Sequence, residues 1–433
     1  MQRFRITSRV LTIAALFALG VSGAQADTYT WTGANGTNWV TGSNWLGSPT
    51  LVWSNTTDVV FYSGTGANLT TVLGDANRTI RSLTFDANAD KNVFLDLKDA
   101  TATARTLIFD TDVVGGNATI NVDAGAAGTF LIGGGTNGQL GTIQLNDNLV
   151  INHNGTGALT ISRTITQNSG TYGITKNGTG QLTFGGTSAV SLGGNITINN
   201  GRVQVNRTNG FGTGAIVLND TGAILSQAAV TLTNAVIVSD TGDLKTWQHA
   251  NGGNATYSGN VTLNETTAGN FKVEVTGAGG LLLDGTISGA GGLEKSGTGV
   301  GFLRLSKANT YSGITKVSAG ELRLNNNQAL QNSALDTGGT GFIAANSGAG
   351  TYVFGGLITG RNLASVVTGS AANVTAVQLN PQSGSVTYSD IIANLASGMH
   401  LTKSGAGTQV LGGVNTYTGT TTITAGRLEI AAG

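Results

Sequence analysis

Two pairs of carboxylates have spacings that would suit acid-base chemistry on a polysaccharide. Asp110 and Asp112 stand two positions apart, so on a strand their side chains point to the same side. Asp240 and Asp243 lie in a turn-like stretch of Ser, Thr and Gly. Glycoside cleavage uses two carboxylates, but no His or basic cluster in the sequence accompanies either pair. The sequence therefore predicts no catalytic residue, and a chain that is not an enzyme.

The signature of a calcium loop is also incomplete. Asp86, Asn88 and Asp90 open like such a loop. Its sixth position, however, is Lys91 where Gly is needed, and its twelfth is Leu97 in place of a bidentate Glu. We expect a polar turn between two strands at this place.

The remaining signatures of cofactor, metal and nucleophile sites have simpler explanations. Gly133 to Gly138 match the GxGxxG pattern, but an apolar strand follows them where a dinucleotide site needs a helix. His153, His249 and His400 are too scattered to indicate a metal site, and we expect them in solvent or in turns. No cysteine and no GxSxG motif offers a nucleophile. The sequence thus predicts no cofactor and no metal.

Four of the five tryptophans are clustered near the amino terminus. They are Trp31, Trp39, Trp45 and Trp53. Their rings could stack on sugars, or they could cover the open first turn of a stacked β structure. We favour the second interpretation, a Trp-rich cap.

The composition indicates repetition rather than several compact domains. The 433 residues include 68 glycines, two prolines and no cysteine, and 10% are charged. With 39% hydrophobic residues the chain can bury a core. Its 22 basic and 22 acidic side chains cancel, so the sequence predicts no nucleic-acid partner.

The first 26 residues have the order of a signal peptide. Arg3, Arg5 and Arg9 precede an apolar run over residues 10–21, and a small-residue Ala24-Gln25-Ala26 site follows. We expect a mature chain from Asp27 that is secreted or on a bacterial cell surface, outer-membrane associated or extracellular. No later run reaches the length of a transmembrane helix.

Three distant segments share one pattern, and they lie near residues 174–205, 293–324 and 401–430. Each has Lys, Gly-x-Gly, a short strand, an aromatic or Leu position, and Gly before a closing strand. The shared lysines are Lys176, Lys295 and Lys403. We expect them to flank turns with their charges in water, and a functional lysine column is the alternative.

Apolar residues alternate within each segment, which indicates strands with one buried face. We expect Leu322, Leu324, Leu428 and Ile430 to point inward, and the repeats to lie on equivalent faces of the coils. Alternation alone would also suit a sandwich, but register between distant segments favours stacked coils that share a core. The sequence predicts an all-β fold, a right-handed parallel β-helix of about 20 rungs. We assign residues 27–100 to the cap and first rungs, and residues 101–433 to the β-helix that carries the repeats.

The stretch from Leu401 to Ile430 resembles the autotransporter-associated β-strand repeat of bacterial passenger regions. The Leu293 to Leu324 segment is similar, and the match over Ile174 to Val205 is weaker. The resemblance implies a parallel β-helix at the surface of a Gram-negative-type bacterium, in adhesion, aggregation or matrix roles, without a catalytic residue. The chain departs from a complete autotransporter in lacking the carboxy-terminal membrane barrel.

The function expected from these features is that of an exported, non-enzymatic surface or extracellular protein, adhesin-like or a structural stalk. The alternative is a carbohydrate-active β-helix, either a polysaccharide-binding module or a lyase-type enzyme. The expected partners are a cell-surface or matrix polysaccharide, or further copies of the chain along the stalk.

Overall fold

The strands stack in parallel, as the alternation and the repeats predict. The computed structural model describes residues 26–431 except 35, 63–68, 135–140, 186–188, 243 and 268. Strand ladders are parallel from the first rungs to the last. The predicted all-β parallel solenoid is therefore confirmed. The expected signal peptide falls almost wholly outside the described residues.

The strands are short and follow one another at close intervals. Strands β1 to β13 span Asp27–Trp31, Thr57–Phe61, Leu69–Val72, Arg78–Ile80, Ser82–Phe85, Val93–Asp96, Thr106–Phe109, Asn117–Val122, Phe130–Ile132, Thr142–Leu145, Asn148–His153, Leu159–Ile161 and Thr164–Gln167. Strands β14 to β27 span Ile174–Asn177, Gln181–Phe184, Ile196–Ile198, Arg202–Val205, Ile216–Leu218, Ala223–Ser226, Thr231–Leu232, Val236–Val238, Thr246–His249, Ala255–Tyr257, Val261–Leu263, Phe271–Val275, Leu281–Leu283 and Ile287–Ser288. Strands β28 to β41 span Leu293–Ser296, Phe302–Leu305, Thr315–Val317, Glu321–Leu324, Leu330–Asp336, Phe342–Ala345, Gly350–Ile358, Val367–Gly369, Val374–Leu379, Ser385–Tyr388, His400–Lys403, Thr408–Leu411, Thr421–Ile423 and Arg427–Ile430.

Helical structure is limited to three short segments in the described part of the chain. They are α1, Leu363–Val366, and two 3-10 turns, Gly42–Asn44 and Ala371–Asn373. Among the described residues no helix has the length and apolar character that crossing a membrane would require.

The rungs form two long sheets and a third side that changes along the chain. One sheet has 11 strands, from β1 through β14 and β16 to β27, and the other has 16 strands, from β3 through β15 and β28 to β40. Strands β4, β7, β10 and β13 make the third side first, then a seven-stranded sheet from β20 to β35, and finally β37, β39 and β41.

The number of rungs is smaller than the expected 20, because the early rungs are longer than about 20 residues. Thr84 and Asn121 occupy equivalent positions 37 residues apart, whereas Asn199 and Asn219 are 20 apart. Sixteen strands at about 4.8 Å per step make a rod on the order of 70 Å long.

The three repeats do not all lie on equivalent faces, contrary to the prediction. Lys176 is on the 11-stranded sheet, whereas Lys295 and Lys403 are on the 16-stranded sheet. Between Lys176 and Lys295 the third side of the solenoid resumes with β20, and the 11-stranded sheet ends at β27. The later repeats are consequently displaced by one face.

Alternating residues fill the core between the sheets. Leu322 and Leu324 are buried as predicted, with exposures of 0% and 2%. Leu428 is partly buried, and Ile430 lies in register with the buried Leu411, on the inward side of β41 as predicted, although its side chain is 69% exposed. No other described strand pairs with the far side of β41, so no described strand covers that side chain.

Candidate functional site

The shared lysines are buried at the corners of the solenoid. Lys176 is fully buried, and its Nζ donates to the carbonyl oxygens of Asn177 at 2.8 Å and Gly178 at 2.7 Å. A third bond of 3.3 Å reaches the carbonyl of Asn200, which lies 24 residues further along, in the next rung. One ammonium group therefore joins two successive rungs.

The second and third repeats reproduce this arrangement. Lys295 donates to the carbonyls of Ser296 at 2.6 Å and Ala319 at 3.2 Å. Lys403 donates to the carbonyls of Ser404 and Gly405 and, at 3.2 Å, to that of Ala425. The expectation that these charges lie in water was wrong, because inward-facing turn carbonyls need a donor that backbone groups do not supply.

In the second and third repeats, the glycine near the end of the repeat makes room for the lysine head group. Gly320 and Gly426 have φ of +73° and +64°, in the left-handed region. A Cβ on either would lie 2.7 or 2.8 Å from the Nζ of Lys295 or Lys403. Lysine and glycine at this spacing therefore form one structural unit.

The lysine ammonium groups are structural donors rather than nucleophiles. Burial lowers the pKa of Lys176 and of Lys295 to about 8, and also lowers that of Lys403. At neutral pH the groups are still mostly protonated, and a neutral amine would have only two N–H donors for three carbonyls. The arrangement clamps the turns and leaves no free lone pair for chemistry.

Two of the histidines act in the same way. His153 is buried and its Nε2 lies 2.9 Å from the carbonyl of Gly157. His249 is buried with Nε2 at 2.7 Å from the carbonyl of Gly253. The two histidines are the last residues of β11 and β22, so the expectation that they lie in solvent or in turns was wrong for both. His400 is exposed, and the three do not meet.

The buried His153 predicts sensitivity to acid. Burial lowers the pKa of His153 from 6.5 to about 4, so between these values the unfolded chain takes up a proton that the native ring does not. Its contribution to stability is present above pH 6.5 and is lost as the pH falls towards 4. We expect His153→Phe to lose less of its unfolding free energy over this interval than the native chain does.

Denaturant titrations at several pH values measure this difference. His400→Phe is the matched control, because that ring is exposed, and it should keep the native pH dependence. An unchanged slope in His153→Phe would show that other groups cause the acid sensitivity.

The structure pairs the predicted carboxylates differently. Asp110 lies beside Asp147 of the next rung, and burial, together with this contact, raises the pKa of Asp147. Asp112 is exposed, and its charge contributes to the raised pKa of Arg81. Asp240 accepts hydrogen bonds from Thr266, and its predicted partner at 243 lies outside the described residues. Sequence spacing missed Asp147 because the two carboxylates meet across rungs.

The calcium-like and glycine-rich motifs are connections between strands. The Asp86 carboxylate accepts a hydrogen bond of 2.8 Å from the backbone N–H of Asn88, and Lys91 forms an ion pair with Asp90 at 3.1 Å. Both contacts are expected of a polar turn between β5 and β6. Gly133 follows β9 with φ of +82°, and the next described element is β10, a strand. The rest of that motif lies outside the described residues.

The amino-terminal tryptophans form one aromatic cluster. Trp31, Trp39 and Trp45 are at most 1% exposed. Ring centroids are 4.8 Å apart for Trp31 and Trp45, and 5.2 Å for Trp39 and the half-buried Trp53. Trp39 Nε1 donates to the Thr71 hydroxyl at 3.1 Å. This packing supports a cap, and the three buried rings cannot form an exposed sugar platform.

The outer faces of the two long sheets differ in charge. The 16-stranded sheet carries an outward column of alternating sign, Lys272, Glu294, Lys316 and Asp336, in direct register. The 11-stranded sheet carries a column of uncharged amides, Asn121, Asn152, Asn177, Asn199 and Asn219. The candidate contact surfaces of this rod are therefore one charged and one neutral flank.

Three segments of the chain match the family described as the passenger-associated-transport-repeat, over residues 174–205, 293–324 and 401–430. These are the segments that hold the corner lysines. Neither the curated proteins nor the solved structures contain a significant match to the chain.

Proposed function

The chain carries three passenger-associated transport repeats, and we propose that it is an exported passenger that serves the cell surface as a non-enzymatic, adhesin-like or structural stalk. The repeats indicate an autotransporter passenger domain, and the parallel solenoid is consistent with that role. The stalk function and the lack of catalysis are the parts that experiment must test.

One observation carries the proposal: the residues that the repeats share lie inside the rungs or at their turns. Lys295 clamps a corner, Gly320 admits its head group, and Tyr311 is buried with its hydroxyl 2.6 Å from that of Thr315. The shared pattern therefore specifies stacking. A repeat that specifies only the stacking of rungs suits a protein that extends from the cell surface and displays its flanks.

Outward positions differ between the repeats, which supports the same function. The third position of the strand that follows each lysine is Thr183, Arg304 and Val410, all half-buried on the outer face. A rod on the order of 70 Å with variable flanks can hold contacts away from its point of attachment.

A carbohydrate-active enzyme is the second candidate, and the Asp110 and Asp147 pair favours it. The two carboxylates come from neighbouring rungs, and the pKa of Asp147 is raised, as is that of the acid in sites where two carboxylates have different roles. Glycoside cleavage also uses two carboxylates. The pair lies on the third side of the solenoid, at the ends of β7 and β10.

Surface display is tested by expressing the full chain in a Gram-negative host and treating intact cells with protease. We expect the protein outside the cell, either on cells and cleaved or in the medium, and we expect the chain without residues 1–26 to stay inside. Retention of the full chain in the cytoplasm would contradict the proposal.

Catalysis is tested on the purified full chain with neutral and acidic polysaccharides, by release of reducing ends or unsaturated products. We expect no turnover from the native chain. Turnover that disappears in Asp147→Asn but persists in the control Asp112→Asn would establish the enzymatic alternative.

A further inference from the structure

A regular surface runs along the 11-stranded sheet over five rungs. Two adjacent outward columns form it. One consists of Thr119, Val150, Thr175, Thr197 and Val217, and the other of Asn121, Asn152, Asn177, Asn199 and Asn219. None of the ten is charged, and each is half-buried. The surface extends about 19 Å along the axis at about 4.8 Å per rung.

The asparagines are held by a ladder of amide hydrogen bonds. Nδ2 of Asn177 donates to Oδ1 of Asn152 at 2.9 Å, and Nδ2 of Asn199 donates to Oδ1 of Asn177 at 2.7 Å. The bonds on either side, to Asn121 and from Asn219, measure 2.9 and 2.8 Å. The side chains are thus ordered before any ligand arrives, which lowers the entropic cost of binding.

The ladder leaves hydrogen-bonding capacity facing outward. An asparagine side chain has two N–H donors and two acceptor lone pairs. The ladder uses one of each in Asn152, Asn177 and Asn199. One donor and one acceptor per rung therefore remain, a pattern that matches hydroxyl groups, which both donate and accept.

A trough of about 280 Å³ lies beside two threonines of the first column, Thr175 and Thr197. Its lining also includes Asn117 and Asn148, which are the first residues of their strands, and Asn195, which directly precedes its strand. These residues belong to four successive rungs, so the concavity follows the axis of the solenoid. A trough of this shape accommodates a narrow chain better than a second flat sheet.

We propose that this face binds a neutral, extended polysaccharide lying parallel to the solenoid axis, with successive sugars on successive rungs. The inference rests on the proposed surface function and names its ligand class. A β-1,4-linked chain rises per sugar by nearly the distance between rungs, so each sugar can lie over one rung, with equivalent hydroxyls at every second rung. An anionic polymer would find no cation in the two columns.

Isothermal titration of the full chain with cellobiose, cellotetraose and cellohexaose tests the proposal. We expect affinity to rise at least about tenfold from the disaccharide to the hexasaccharide, because each added sugar meets another rung. Maltohexaose, whose α-linkages curve the chain, should bind more weakly. Equal binding at all lengths, or preferred binding of polygalacturonate, would overturn the proposal.

Thr175→Arg places a long side chain in the trough and should weaken cellohexaose binding by about tenfold or more. The matched control is Thr183→Arg, which alters an outward threonine of the same repeat on the 16-stranded sheet and should bind like the native chain. Unchanged melting temperatures in both variants separate lost binding from lost folding. Undiminished binding by Thr175→Arg would refute the site.

Sedimentation of the same proteins distinguishes a second copy of the chain as the occupant. Dimers that disappear in Thr175→Arg, without sugar binding by the native chain, would overturn the proposal in favour of self-association. The protease test on intact cells is independent of these titrations. A displayed protein that binds no glycan would refute only the ligand, whereas a retained protein would refute the surface function.

Discussion

The double substitution Trp39→Ala and Trp45→Ala is expected to lower the free energy of unfolding by about 5 kcal/mol. Each ring is fully buried or nearly so, and removing a buried tryptophan costs about 3 to 5 kcal/mol through lost burial and a cavity. The two costs are not additive, because the centroids are 5.6 Å apart and the rings share a cavity. The hydrogen bond of 3.0 Å that Trp45 Nε1 donates to the carbonyl of residue 39 is also lost.

Urea denaturation followed by circular dichroism measures this loss. Leu46→Ala is the control, since Leu46 adjoins Trp45 but is 69% exposed, and it should change stability by less than about 0.5 kcal/mol. We also expect the double variant to aggregate more readily, because the open first rung exposes apolar surface and strand edges. Lost sugar binding at unchanged stability would instead reveal a glycan platform.

Lys295→Met is expected to lower the free energy of unfolding by about 3 kcal/mol. Methionine fills a similar volume, so the cost comes from the carbonyls of Ser296, Gly297 and Ala319, which lose their buried donor. A buried acceptor left unpaired costs about 1 to 3 kcal/mol, and relaxation of the turn reduces the total below the sum of three.

Lys316→Met is the control for this substitution. Lys316 lies on the adjacent strand β30, faces outward and approaches Asp336 only to 3.8 Å, and surface ion pairs contribute about 0 to 1 kcal/mol. Equal stability losses in the two variants, compared by denaturant midpoints at pH 7, would show that the corner carbonyls do not need the lysine.

The alternation of the strands places the shared lysines on the inward face. Ile174 faces the core, so Lys176, two residues later, must face it as well. The same spacing relates Leu293 to Lys295. The alternation therefore indicates that the lysines point inward, whereas lysine side chains are usually exposed to solvent. The sequence does not show where the turn carbonyls lie, and these carbonyls make burial of the lysines favourable.

By itself the amino-acid sequence determined the local structure and the class of fold. Alternating residues specify strands with one buried face, glycines specify turns, and register between distant segments specifies stacked rungs. These properties depend on residues close together in the chain, or on its repetition, so one sequence displays them.

Only the tertiary structure decided which residues of different rungs meet. Rung lengths vary from 20 to 37 residues, so spacing could not place Asp147 beside Asp110 or align five asparagines in a ladder. It also could not show that the first repeat lies one face away from the other two. Those relations depend on how many residues each loop between strands contains, because loops of different length connect strands that still stack in register.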